Sequence, residues 1–306
     1  MKVAFAGTPD FAATILRGLV SSEHEVGLVI SQPDPRRGRG RRTAQTPVAE
    51  LARTANLSLR QPARISEVAA EISGHDALVV AAYGQILRPD TLYAAREGAW
   101  NVHASLLPRY RGAAPVERAI MNGERETGVS IMRMDEGLDT GPIALKRPVE
   151  IPPEMTGGEL ADLLALVGSK AIVEVLFSIE NGTVTLSEQD SFHATYAPKL
   201  VGEDLMIRWE GRVEEVSDLV RALAPHIGAR TLHPEVEGPI KVWRARVFEG
   251  GGPDLLTAHI YAENDRILVG CGDGVLEVLE LQMPSAKRLS APDFLRGNTL
   301  HGAFVA

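Results

Sequence analysis

At 306 residues, with 44% hydrophobic and 24% charged residues, the chain has the makeup of a folded globular protein and the length of one large domain plus a smaller one. No apolar run approaches the roughly 18 to 20 residues that span a bilayer. The opening MKVAFAGTPDFAA reads as strand and turn rather than a cleavable signal, so a cytoplasmic protein with no membrane association is expected. A net charge of −8 argues against indiscriminate nucleic-acid binding, and the single cysteine, Cys271, excludes an internal disulfide and a Cys-based zinc site, which leaves it a small core residue.

In chain order, Val3 to Ala6 forms the first apolar run, followed by Phe11, Ile15 and Leu19 at helical spacing and then by a second run, Val26 to Ile30. Gly7 opens a turn as in nucleotide-binding folds, but the full GxGxxG pattern is absent, which argues against a dinucleotide site. The segment SQPDPRRGRGRR then concentrates Arg36, Arg37, Arg39, Arg41 and Arg42, with no apolar residue between Pro33 and Ala44, so it is not core. Fields are screened over roughly 8 Å at physiological salt, so such a patch attracts a polyanion that the whole molecule repels. A solvated loop is the plain alternative. Thr46 and Pro47 match an N-cap and first helical position before VAELARTA. Ala77 to Ala82, Ala99 to Val102 and Val129 to Met132 complete the buried strands of the first half. The βαβ alternation predicts an α/β fold, an open Rossmann-like parallel sheet with helices on both faces, whose ligands sit beyond the carboxyl ends of its strands.

Met155 to Ile179 reads as a helix, with Leu160, Leu163, Leu164, Val167, Ile172, Val175 and Leu176 on a broad apolar face. After a polar, turn-rich stretch come short alternating segments at 241–248, 255–262, 266–271 and 275–282, with the amphipathic helix VEEVSDLVRAL at 213–223. These predict a smaller C-terminal β-barrel, OB-like, and a division into a larger first domain 1–188, a linker 189–205 and a barrel 206–306.

Two polar clusters follow buried strands. Alternation turns Asn101 and His103 to the same side, so an amide donor and an imidazole converge on one small group, and a loop punctuated by proline and glycine, Ser105 to Gly112, comes next. The second is MDEGLDTG, in which Gly137 and Gly141 flank Asp139 and allow a carboxylate to be aimed from a loop. A carboxylate beside a histidine holds its ring in one tautomer and favours the charged form. On spacing alone, a strand-capping histidine and a solvated acidic turn are the plainer readings, with the catalytic one beside them.

Taken together, AGTPDFA, SQPDPRRGRGRR, VVAAYGQIL, NVHASLLPRYRGAAPVERAI and MDEGLDTGP resemble the methionyl-tRNA formyltransferase family, in order through nearly all of the first 200 residues. The resemblance implies transfer of the formyl group of 10-formyltetrahydrofolate to the amine of initiator methionyl-tRNA, through a tetrahedral carbon bearing an oxyanion. It assigns Asn101, His103 and Asp139 as the catalytic trio. The Asn101 amide and a protonated His103 donate to the oxyanion, and the imidazole relays a proton from the attacking amine to the leaving nitrogen, with Asp139 orienting it or a bound water. It implies a folate pocket of Tyr83, Gly84, Gln85, Ile86 and Leu87, of Ser105, Leu106, Leu107 and Pro108, and of the backbone from Asp135 to Asp139. It makes the five arginines a tRNA-contacting loop, with Arg39 the foremost candidate. No metal is needed, and a monomer without an obligate protein partner is expected by analogy.

In the second half the family pattern departs. Arg208 stands where an Asp usually precedes the Trp, and Pro225-His226-Ile227-Gly228 replaces Pro-Trp-Pro-Gly, so tRNA contacts are not carried over there residue by residue. Residues 206–306 also carry more acidic than basic side chains. Two rival readings share the fold: a formyltransferase acting on an amino sugar nucleotide, and a non-catalytic RNA-binding protein. The first has little use for five arginines or a terminal barrel, nor do purine-pathway formyltransferases; the intact trio weighs against the second.

Overall fold

The computed structural model describes residues 1–37, 42–249 and 256–305, with backbone only at residues 36, 37, 42, 43 and 263. The chain divides into two compact units. The first comprises Met1–Pro115, Glu126–Glu150 and Ala161–Pro198, and the second Val116–Arg125, Ile151–Leu160 and Lys199–Ala306.

In the first unit, strands β1 (Lys2–Gly7), β2 (Glu25–Ile30), β3 (Leu59–Arg60), β4 (Ala77–Ala81), β5 (Ala99–His103), β6 (Glu126–Arg133) and β7 (Ile143–Glu150) form one sheet in the order β3-β2-β1-β4-β5-β6-β7. The first five in that order run parallel, and β6 and β7 are antiparallel additions, so the sheet is mixed. Period-2 alternation divides its faces. Ala4, Ala6, Leu28, Ile30, Leu78, Val80 and Ala99 face one side, where the helical turns around Ile65, Val68, Ile72 and Leu92 cover them. On the other face, a methyl added at Gly168 would meet Val102, Val129 and Ile15. That places helix α4 (Gly157–Glu180) against the sheet and against α1 (Asp10–Val20). The start of α2 (Pro47–Thr54) follows its sequence signal: Thr46 Oγ1 accepts from Ala49 N at 3.2 Å and Pro47 occupies the first turn.

The second unit contains the short helix α3 (Pro115–Met121) from Val116 onward, helix α5 (Val213–Leu223) and an antiparallel sheet. Its strands β8 (Ala229–His233), β9 (Val236–Val247), β10 (Ile260–Glu263), β11 (Arg266–Gly270), β12 (Val275–Gln282) and β13 (Arg288–Ser290) run in the order β8-β9-β12-β11-β10, with β13 on β12. The sheet curls into a half-barrel. Val305 bridges Leu232 in β8 while Ala303 bridges His259 just before β10, so the tail reaches both edges. Trp209 is fully buried in this core, stacks on Phe304 at 5.3 Å and donates from Nε1 to Thr231 Oγ1 at 2.9 Å. Arg208 is exposed between buried Ile207 and Trp209. Cys271 lies in the same core, where burial pushes its thiol up to about 12.

Candidate active site

Strand β5 brings the first two site residues forward. Its register sets Asn101 beside Val80 of β4 and Met132 of β6, and His103 beside Ser130. Both side chains project from the face that carries Ala99, as alternation requires. Asp139 comes from the β6–β7 loop. Because β6 runs antiparallel to β5, that loop begins at the Ala99 end of β5, where Met134 N donates to Ala99 O at 2.8 Å. Asp139 itself, at φ +52°, turns its carboxylate back onto β5.

The three side chains meet. Asn101 Nδ2 donates to Asp139 Oδ1 at 3.4 Å, and His103 Nδ1 lies 3.8 Å from Asp139 Oδ2. That second oxygen accepts the Gly112 amide at 2.8 Å. His103 Nε2 stands 2.9 Å from the carbonyl of Tyr110. A carbonyl only accepts, so Nε2 carries the ring proton and Nδ1 is the nitrogen open to proton exchange. The tautomer is therefore held by a backbone carbonyl rather than by Asp139, whose carboxylate faces the open nitrogen. His103 is 6% exposed, so the ring works largely out of bulk water, where charge interactions strengthen.

The loop after β5 is tied down at each end. Ser105 Oγ donates to Arg109 O at 2.6 Å, and Ser130 Oγ accepts the Leu107 amide while donating to Ser105 O. Gly112 sits at φ +121°, and a Cβ there would lie 2.7 Å from Ala197 O. Only glycine suits both the angle and the gap.

Strands β4 and β5 are parallel, so Tyr83–Leu87 and Ser105–Pro108 emerge at the same end of the sheet. Tyr83, Leu87, Ser105 and Leu107 bury their side chains, Leu106, Pro108 and Gln85 are half-buried, and Gly84 and Ile86 are exposed. Burial and the nearby Glu67 push the Tyr83 hydroxyl up to about 12. Gln85 closes its segment onto the chain nearby, accepting from Ile65 N at 2.9 Å and donating to Ala63 O at 3.1 Å. Asp135 lies at the opposite end of β5, and its Oδ1 accepts from Gly137 N and Thr140 Oγ1, which closes the loop that carries Asp139. Of the arginines, Arg36–Arg37 pair antiparallel with Arg42–Thr43, while Arg39 and Arg41 lie outside the described residues. The base of this segment is pinned where Asp34 Oδ1 accepts from Thr46 N and Gln61 Nε2.

Sequence reasoning passes over Tyr110, Arg111 and Gly112 as contributors and misses Gln189 altogether. Gln189 Nε2 donates to the carbonyls of Asp139 and Gly141, 2.8 Å to each. No periodic signal marks such a residue, because its partners, the Arg111 guanidinium and two backbone carbonyls, lie 48 to 78 positions away in the chain.

The family model described as "Formyl transferase" matches residues 1–176, and "Formyl transferase, C-terminal domain" matches 199–299. A methionyl-tRNA formyltransferase of Rubrobacter xylanophilus is 68% identical over 303 residues, 99% of each chain. The chain belongs to the methionyl-tRNA formyltransferase family. Among solved structures, an N-formyltransferase from Helicobacter canadensis in complex with folinic acid and dTDP-3-aminofucose has a TM-score of 0.67 at 17% identity, covering 94% of this chain and 100% of its own. HypX from Aquifex aeolicus in complex with tetrahydrofolic acid has a TM-score of 0.69 at 17% identity over 96% of this chain, which spans about half (47%) of that protein. At such identities these two share the fold with this family member. Among the described residues, no helix is long and apolar enough to cross a membrane.

Proposed function

We propose that the chain transfers the formyl group of 10-formyltetrahydrofolate to the α-amine of initiator methionyl-tRNA, yielding formylmethionyl-tRNA for translation initiation. The observation that carries this reading is the convergence of Asn101, His103 and Asp139 in a chain whose relative, 68% identical from end to end, bears that name. The amine attacks the formyl carbon and the carbonyl electrons move onto oxygen, where the Asn101 amide donates; a donor of this kind is worth about 10² to 10³ in rate. His103 takes the proton of the attacking amine at Nδ1 and returns it to N10 of the folate as the carbon–nitrogen bond breaks, a relay worth about 10² to 10⁴. Asp139 faces that nitrogen and stabilises the imidazolium between the two transfers. No step requires a metal.

Bound folinic acid and tetrahydrofolate in the two structural neighbours support a reduced folate as co-substrate. In our reading it lies against Tyr83–Leu87 and Ser105–Pro108 and meets the peptide groups of Asp135–Asp139. Residues 1–188 form the catalytic domain, with which 189–198 share one compact unit, and 206–306 form a tRNA-binding barrel, in a monomer. The arginine segment grips the tRNA, with Arg36, Arg37, Arg39, Arg41 and Arg42 on phosphates and bases. The test is transfer of labelled formyl to methionyl-tRNA compared with amino sugar nucleotides. Label on the charged tRNA is expected, and preferential labelling of the sugar would replace this reading with its rival.

A further inference from the structure

Arg111 is 3% exposed, and among the described residues no carboxylate lies within salt-bridge distance of its guanidinium. Its partner is a neutral amide. Gln189 Oε1 accepts from Arg111 Nε at 3.2 Å and from Nη2 at 2.8 Å, while Gln189 Nε2 donates to Asp139 O and Gly141 O, 2.8 Å each. Both lone pairs and both protons of the amide are thereby used, which fixes its orientation: a flip would turn NH₂ against the guanidinium and oxygen against two carbonyls. A lone buried cation would find a better partner in a carboxylate. A carboxylate, however, cannot donate to the two carbonyls, so the amide is the group that serves the arginine and the loop together.

The surrounding backbone repeats the pattern. Arg111 N donates to Thr195 O at 2.8 Å, Ala197 N to Arg111 O at 2.7 Å, and Tyr110 N to Thr195 Oγ1 at 2.8 Å. Ser187 and Ile143 exchange both backbone bonds, at 2.9 and 2.8 Å. Residues 187–197 thus run across the roots of both site loops, inside the first compact unit. Tyr110 supplies the carbonyl that holds His103, Gly112 the amide that holds Asp139, and the residue between them is Arg111. Asp139, at φ +52°, occupies a conformation that a non-glycine residue keeps only when its surroundings impose it.

We propose that Gln189 and Arg111 are positioning residues: the Gln189 amide, held by the buried guanidinium, clamps the Asp139 and Gly141 carbonyls and so aims the Asp139 carboxylate at Asn101 and His103. This rests on the catalytic assignment of the trio. Its consequence is that the stretch whose polar, turn-rich sequence predicts the start of a linker belongs to the working site.

The test uses the full chain with Gln189→Glu and Gln189→Met, assayed with 10-formyltetrahydrofolate and methionyl-tRNA beside His103→Ala and Asp139→Asn. Gln189→Glu keeps acceptors for Arg111 and removes both donors to the loop. It should keep the wild-type Tm within a few degrees and the KM for tRNA. Its kcat should fall about 10- to 100-fold, the scale of a misaligned catalytic group. Gln189→Met, losing both contacts, should lose at least as much kcat and some Tm. Amide hydrogen exchange, read without turnover, should speed up at Gly112 and across 138–141 in both variants. Wild-type kcat and unchanged exchange in Gln189→Glu, with His103→Ala and Asp139→Asn inactive, overturns the positioning role alone. A kcat that simply follows the folded fraction of the two variants overturns it as well. Activity surviving in His103→Ala and Asp139→Asn overturns the catalytic reading beneath it.

Discussion

Around Asp139 the molecule is ordered by hydrogen bonds: Asn101, Gly112 and Gln189 each direct a donor at that residue, and the ring beside it is held by the Tyr110 carbonyl. Around Trp209, in the second unit, order comes from burial. One indole bond to Thr231 accompanies a core that includes Ile207, Val216, Val220, Val242, Val269, Leu276 and Phe294. The two regions should fail differently. Hydrogen bonds are directional, so altering one shifts a geometry that chemistry reads, whereas a core responds to lost volume through stability.

The largest expected effect is on His103. His103→Ala should lower kcat by at least about 10², the contribution of a general acid–base group. The Tyr110 carbonyl that loses its donor costs only about 1 to 3 kcal/mol of stability. Asn101→Ala and Asp139→Asn should be similarly damaging and not additive with it, because the three act as a unit. Retention of more than about a tenth of wild-type turnover by His103→Ala, against that 10², would show that the site does not work by proton relay.

Trp209→Ala makes the converse case. Truncating a buried tryptophan costs about 3 to 5 kcal/mol, to be read as a drop in the chemical denaturation midpoint. Formyl transfer per folded molecule should stay near wild type at low temperature. A large kcat loss in fully folded Trp209→Ala would erase the distinction between the regions.

A third experiment tests the first unit away from its bonded centre. Replacing Arg36, Arg37, Arg39, Arg41 and Arg42 with alanine should flatten the slope of log affinity for methionyl-tRNA against log salt by about 2 to 4, as expected for three to five phosphate contacts. Folate affinity should be unchanged. An unaltered slope would reduce the segment to a solvated loop and strengthen the amino-sugar reading.

The smallest effect belongs to a partly solvated ion pair in the second unit. Arg118 donates to both oxygens of Asp204 at 2.9 and 2.6 Å, and this pairing, joined by the Val201 amide, holds the Asp204 carboxyl below its ordinary range. A lowered folded-state pKa adds stability above the unfolded value of about 3.9, and that stability disappears as pH falls through the folded value. Asp204→Asn should therefore cost less than about 1 kcal/mol at pH 7 after solvent screening. The gap between wild type and variant in urea unfolding should close on acidification toward pH 3; a gap that widened would contradict the assigned sign.

Much of this is legible from local pattern. Apolar runs mark β1, β2, β4, β5 and β6, short-range alternation marks β12, helical spacing marks α1 and α5, and Thr46-Pro47 marks the start of α2. Strand β7, IALKRPVE, escapes such a reading, because an edge strand carrying Lys146, Arg147 and Pro148 lacks a continuous apolar run. Strand β8, ARTLH, escapes it because its alternation spans only five residues. In the site, alternation along β5 is enough to set Asn101 and His103 on one side.

By itself, then, the sequence determined most of the elements that carry the candidate site residues, since capping, helical spacing and strand alternation act between near neighbours. The tertiary structure alone decided that β6 runs antiparallel, so that Asp139 reaches its partners from the far end of β5. It also decided that the Tyr110 carbonyl sets the His103 tautomer and that Gln189 braces the loop. Each of those contacts involves a backbone carbonyl, a group every residue has, so composition and spacing say nothing about which one is chosen; the fold selects it by bringing distant chain segments together.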